Sequence, residues 1–181
     1  MRGFIGGFIA ALIVLALVGF TAIETGMVPA RADAPPLPGE RWAARTSLGA
    51  TIRREEPKPP YPFMQSDADI ARGATLYVQN CAVCHGTANT TPNAIARGLG
   101  PVRPPQFNKN DVSDDPEGET YWKVEHGIRF TAMPAFEKTL SDDDAWKVAM
   151  FLKRMDKLPP AADVEWKKVP SAAASPAPGA K

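Results

Sequence analysis

The only two cysteines of this 181-residue chain stand three apart, in Cys81-Ala-Val-Cys84, and a histidine, His85, follows at once. Two thiols at that spacing can add to the two vinyl groups of a haem, while the adjacent imidazole turns under the ring to ligate iron. By chance two cysteines in a chain of this length would fall three apart roughly one time in a hundred, and the following histidine makes the coincidence rarer. Other chemistries of the same residues fit less well. A thioredoxin-like redox pair needs a βαβ setting, and no run of β-branched residues alternates here. A zinc site from Cys81, Cys84, His85 and His126 would use adjacent ligands with a 41-residue gap to the fourth. One haem, held covalently, is the expected cofactor. Its thiols are joined to it outside the cytoplasmic membrane, so the domain is expected on the periplasmic side of a bacterial inner membrane.

The elements that must position these residues can be read on either side of them. Ser66-Asp-Ala-Asp69 is a capping-box-like start, followed by Ile70, Gly73, Ala74 and Tyr77 on one helix face. Asp115-Pro116 reads as N-cap and first helical position of a second helix with Tyr121, Trp122 and Val124 on its apolar side and Gly127 as its stop. Ser141-Asp-Asp-Asp144 opens a third, carrying Trp146, Val148, Ala149, Met150, Phe151, Leu152 and Met155. The expected fold is all-α, with Pro/Gly-rich loops over 86–114 and 127–140. Loops of that length in a compact domain need something to wrap around.

Outside this domain the chain changes character. Phe4 to Ile23 is an apolar run whose only polar member is Thr21, long enough as a helix to cross a ~30 Å hydrocarbon layer. It reads as a transmembrane anchor over 1–25. The competing reading is a signal peptide cut near Ala30-Arg31-Ala32, although such apolar regions are usually ~7–15 residues. Arg2 lies on one side and Arg31, Arg41 and Arg45 on the other, so charge bias does not orient it. Gly3, Gly7 and Ala11 share a face that another membrane helix could approach, or are the ordinary glycines of membrane helices. Eight prolines between Pro29 and Pro62 mark 26–60 as an extended linker. Trp42, Leu48, Ile52, Tyr61 and Phe63 leave open whether it is a free tether or lies along a partner. The haem domain is placed at 61–160, and 161–181 reads as a disordered Ala/Pro tail.

In Gly73-Ala-Thr-Leu-Tyr77, Cys81-Ala-Val-Cys84-His85, the Gly127–Phe136 loop and the helix bearing Trp146, the chain resembles the monohaem class I cytochromes c, in particular bacterial membrane-anchored ones. The resemblance covers about 67–157. It implies a small fold of about three main helices and loops around one haem c, with the first and last helices crossing at Gly73 and Tyr77 and Trp146 nearby. It implies electron transfer as the activity, and a proline carbonyl that accepts the second N–H of His85. Pro105, before Gln106 and Phe107, matches that proline.

The opposite face of the iron needs a second ligand. Met133 lies 48 residues beyond His85, directly before Pro134 in a Gly- and Pro-bounded loop, and is the candidate. His126 is its rival. Met150 and Met155 fall in an apolar helix as core filler, and Met64 has no fixed position. Arg103 is a candidate for a haem propionate, as is Arg97, and both are equally readable as solvated charges.

A Met thioether opposite a histidine favours ferrous iron and leaves no open position, so a carrier rather than a catalyst is expected. Its partners would be a donor and an acceptor redox protein, membrane lipid through the N-terminal helix, and other subunits of a respiratory, photosynthetic or dehydrogenase complex. A haem-based sensor with a displaceable sixth ligand is the alternative. Residues 61–170 hold 13 Lys and Arg against 15 Asp and Glu, and the whole chain carries a formal +1. Nucleic acid is thereby excluded as a partner, and no basic docking ring is evident.

Overall fold

The computed structural model describes residues 2–60, 66–90, 92–100, 103–109 and 112–168. Tyr61, Pro62, Phe63 and Met64, the acidic Asp111 and the stretch 171–181 lie outside them. The chain divides into two compact units, Met1–Pro35 and Pro36–Lys181. The first holds helix α1 (Arg2–Glu24), whose stretch Gly3–Glu24 is long and apolar enough to cross a membrane, about 33 Å at 1.5 Å per residue.

The second unit is built only of helices among the described residues: α2 (Glu40–Glu55), α3 (Asp67–Asn80), α4 (Ala82–His85), α5 (Ala94–Gly98), α6 (Glu117–His126), α7 (Asp142–Lys153) and α8 (Pro160–Trp166). The core lies where α3 packs on α7 and α8, with α6 on the other side of α7. Its centre is aromatic. Tyr77 and Phe151, both fully buried, meet at 5.3 Å, and Trp166 closes on them at 5.6 and 5.9 Å. Trp146 instead stacks on Tyr121 at 4.2 Å, between α6 and α7.

The α3–α7 crossing falls at Gly73. A Cβ there would sit 2.0 Å from the Lys147 carbonyl oxygen and 3.0 Å from Cβ of Phe151, so the two backbones touch. The ends are fixed as the caps suggest. Ser66 Oγ accepts from the Asp69 amide (3.1 Å) while the Asp69 carboxylate accepts from the Ser66 amide (3.3 Å), and Ser141 Oγ accepts from the Asp144 amide (3.1 Å). Helix α6 begins one residue later than read, with Pro116 as N-cap. Asp115 pairs instead with Lys123 at 3.4 Å, spanning the first turns.

Two boundaries need correction. The stretch 26–60 is not an extended linker throughout, because α2 occupies Glu40–Glu55. All its prolines lie outside that span: Pro38 is the last before it and Pro57 the first after, leaving a run of Ala, Arg and Leu that favours helix. Its C-terminal half docks Ile52, 3% exposed, where α2 meets α6. The tail, too, starts later than 161. Pro159-Pro160 opens α8, and Ala162 and Trp166, four apart, drop into the core. A proline at the first helical position followed by an i, i+4 apolar pair was the signal for it.

Candidate haem site

The Cys-x-x-Cys-His segment is a single helical turn held from outside. Cys81 ends α3, with its amide on the Tyr77 carbonyl (2.8 Å), and its own carbonyl receives the amides of Cys84 and His85, each at 3.0 Å. Gly86, at φ +76°, then turns the chain away. A one-turn helix leaves its last carbonyls unpaired. Here each finds a partner far along the chain. The Val83 carbonyl accepts from Asn93 Nδ2, the Cys84 carbonyl from Gln106 Nε2 (2.8 Å), the His85 carbonyl from the Phe107 amide (3.2 Å) and the Gly86 carbonyl from the Tyr77 hydroxyl (2.7 Å). Helix α8 closes the same turn from behind, its Trp166 carbonyl taking the Ala88 amide at 3.2 Å.

His85 is oriented by the loop 103–109. Its Nδ1 lies 2.9 Å from the Pro105 carbonyl oxygen, which only accepts, so the hydrogen sits on Nδ1 and the Nε2 lone pair is left available. Phe107 stacks on the imidazole at 4.6 Å and 11°. Burial lowers the His85 pKa, against a smaller opposing effect of the Pro105 hydrogen bond, and so favours the neutral, ligand-competent ring. Burial also pushes the Cys81 thiol up to about 12, with Cys84 adding to it, and raises Cys84 itself. Both sulfurs are therefore neutral thiols at neutral pH, and neither is in a disulfide.

The remaining candidates are spread along the chain. Met133 is half-buried in a loop closed at its base: the Ile128 amide donates to the Met133 carbonyl (3.1 Å), and the Thr131 hydroxyl accepts from the Met133 amide (3.1 Å). Gly127, at φ +65°, lets the strands of this loop meet, since a Cβ there would lie 2.6–2.7 Å from the Met133–Ala135 backbone. The Phe136 amide returns the chain to α6 on the Val124 carbonyl, at 3.1 Å. His126 ends α6 on the surface, edge-on to Trp122 at 5.1 Å and 3.6 Å from the Glu125 carboxylate. Arg103 is exposed, and Arg97 donates to the Pro92 carbonyl. Met150 is buried in the core as read. Sequence reasoning did not find the roles of Asn93, Gln106 and the Tyr77 hydroxyl, because a side chain that holds a carbonyl 9–22 residues away leaves no local pattern.

The tip of the Met133 loop is strained. Phe130 has φ +60° and is 99% exposed, so its backbone cost is not offset by burial of the ring. Phe130→Asn, which tolerates that conformation, is expected to stabilise the domain by about 0.5–1 kcal/mol and raise Tm by about 4 °C in a thermal melt.

Residues 68–152 match the family described as cytochrome c oxidase, cbb3-type, subunit III. The match covers just under half of the chain and marks this segment as a c-type cytochrome domain. The chain is 34% identical over 112 residues to the thiosulfate dehydrogenase of Stutzerimonas stutzeri (strain A1501), covering 59% of this chain and 34% of that one. It is also 32% identical over 86 residues to the cbb3-type cytochrome c oxidase subunit CcoP of Azospirillum sp. (strain B510), covering 48% of this chain and 28% of that protein. It thus spans about a third of the length of either relative.

The cofactor class that goes with this family is haem c, and the residues present fit it. Two neutral thiols three apart and an imidazole with Nδ1 tied down and Nε2 free are donors of the type that haem c takes, and the half-buried Met133 thioether on its braced loop is the candidate for the opposite face.

Proposed function

We propose that the chain is the electron-carrying, membrane-anchored subunit of an inner-membrane oxidoreductase complex, with its haem domain on the periplasmic side and one covalent haem c. Cys81 and Cys84 form the thioethers, His85 and Met133 are the axial ligands, Pro105 orients His85, and Arg103 faces a propionate. When bound, the haem supplies a one-electron ferric/ferrous couple. The protein's part is to hold the donor atoms still.

The single observation that carries this reading is the Pro105 carbonyl 2.9 Å from His85 Nδ1, in a turn whose four terminal carbonyls are all tied to distant residues. A metal-bound imidazole normally donates its other N–H to a fixed acceptor, and an immobile ligand keeps reorganisation on electron transfer small. The apolar helix α1 supports the anchor, and the likeness to an oxidase subunit and a dehydrogenase supports a place in a larger redox assembly. The substrates of those two relatives are not carried over, because the matched segment is only about a third of each.

Denatured protein is expected to keep its haem colour on a gel, and acidified organic solvent to leave the haem on the polypeptide. Release of the haem into the solvent would refute covalent attachment. Cys81→Ala and Cys84→Ala together should give complete loss of the gel stain.

A further inference from the structure

Helix α2 is docked by one end only. Around Ile52 it is covered by the domain, whereas Glu40 to Ser47 are exposed throughout. At about 100° per residue, Arg41, Trp42 and Arg45 fall within about 100° of one another on this exposed half, Arg45 and Arg41 in line with Ile52 about two and three turns away. Trp42 is 72% exposed, while the other three tryptophans are buried to 7% or less. Neighbouring cations are paired, Arg31 with Asp33 and Arg54 with Glu55, both at 2.6 Å. Arg41 and Arg45 have no ion-pair partner among the described residues.

The position of this face in the chain says what it can meet. Fifteen residues separate Glu24, the last of α1, from Glu40, a contour of at most ~50 Å and a typical flexible span of ~20–25 Å. A surface tethered that close to a bilayer encounters it at high effective concentration, so a few weak contacts suffice. The arginines are also on the side of the membrane where charge bias disfavours them, given an exported haem domain. Contact with headgroup phosphates gives them a role there. The exposed half holds one large apolar side chain, too little for the desolvated centre of a protein interface, and a tryptophan among arginines is the composition of a headgroup layer.

We propose that the exposed half of α2 docks on anionic phospholipid, with Trp42 among the headgroups and Arg41 and Arg45 on lipid phosphates. It thereby gives the haem domain a second attachment to the membrane besides its tether. This rests on the anchored, exported reading given above.

The haem-loaded full chain is reconstituted into vesicles of phosphatidylcholine alone or mixed with phosphatidylglycerol, each doped with spin-labelled lipid that quenches tryptophan at headgroup depth. Lipid quenching of the Trp42 emission, isolated by subtracting Trp42→Phe, is expected to be about fivefold stronger in the anionic vesicles and to fade at high salt. Arg41→Glu and Arg45→Glu combined should erase that difference while the haem spectrum stays unchanged. Equal quenching in both vesicle types would overturn the proposal. So would protection of α2 from trypsin in native membranes but not in anionic vesicles, which would make a protein the occupant. Failure of the chain to float with either vesicle type would instead overturn the anchor itself.

Discussion

Gly73→Ala is expected to destabilise the haem domain by about 3 kcal/mol or more and to lower Tm by on the order of 15 °C. The new methyl carbon would stand 2.0 Å from the Lys147 carbonyl oxygen and 2.6 Å from its carbon. Neither is the flexible end of a side chain. Relief requires α3 and α7 to separate, and that opens the contacts of Ala74, Tyr77, Val148 and Phe151, all fully buried around the crossing. Stability of that order is a large part of what a domain of this size possesses. Gly98→Ala is the comparison, since a Cβ there meets nothing within 4 Å. It should change Tm by only a few degrees. A thermal melt that found the two variants alike would show that the helices do not cross on Gly73.

The second large effect is expected at Met133. Under the proposed ligation, Met133→Ala removes the thioether that favours the reduced state, and the potential should fall by on the order of 0.1 V. The weak ferric absorption band at the red end, characteristic of sulfur ligation, should vanish. The variant should also bind carbon monoxide when reduced, which the parent should not. His126→Ala should change none of these, because His126 sits on the surface beside Trp122 and Glu125. The opposite pattern, with His126→Ala active and Met133→Ala silent, would exchange the ligands. Carbon monoxide binding by the unaltered protein at neutral pH would favour the sensor reading over the carrier.

Local chemistry was legible in the sequence because it depends on neighbours in the chain. The spacing of Cys81, Cys84 and His85, the cap at Ser66, the stop at Gly127 and the apolar run of α1 are each complete within a few residues or one helix. Prolines misled where their number was taken as a property of the whole stretch 26–60. A proline acts at its own position and the turn beside it, and the gap between Pro38 and Pro57 was free to become α2. The short α8 was lost in an Ala/Pro tail for a related reason: seven residues have too little intrinsic helix stability to stand out, and Trp166 makes them a helix by burying itself on Tyr77 and Phe151.

By itself the sequence determined the candidate donor residues, the helices that flank them and the apolar N-terminal helix, since these follow from residue type, short spacing and hydrophobic period. Only the tertiary structure decided how the donors are held. Asn93, Gln106, Phe107 and Tyr77 come to the four carbonyls of the Cys-His turn from 9 to 22 residues away, and Lys147 meets Gly73 across 74. Such pairs are set by where packed helices bring the backbone together, and no periodicity along the chain encodes that distance.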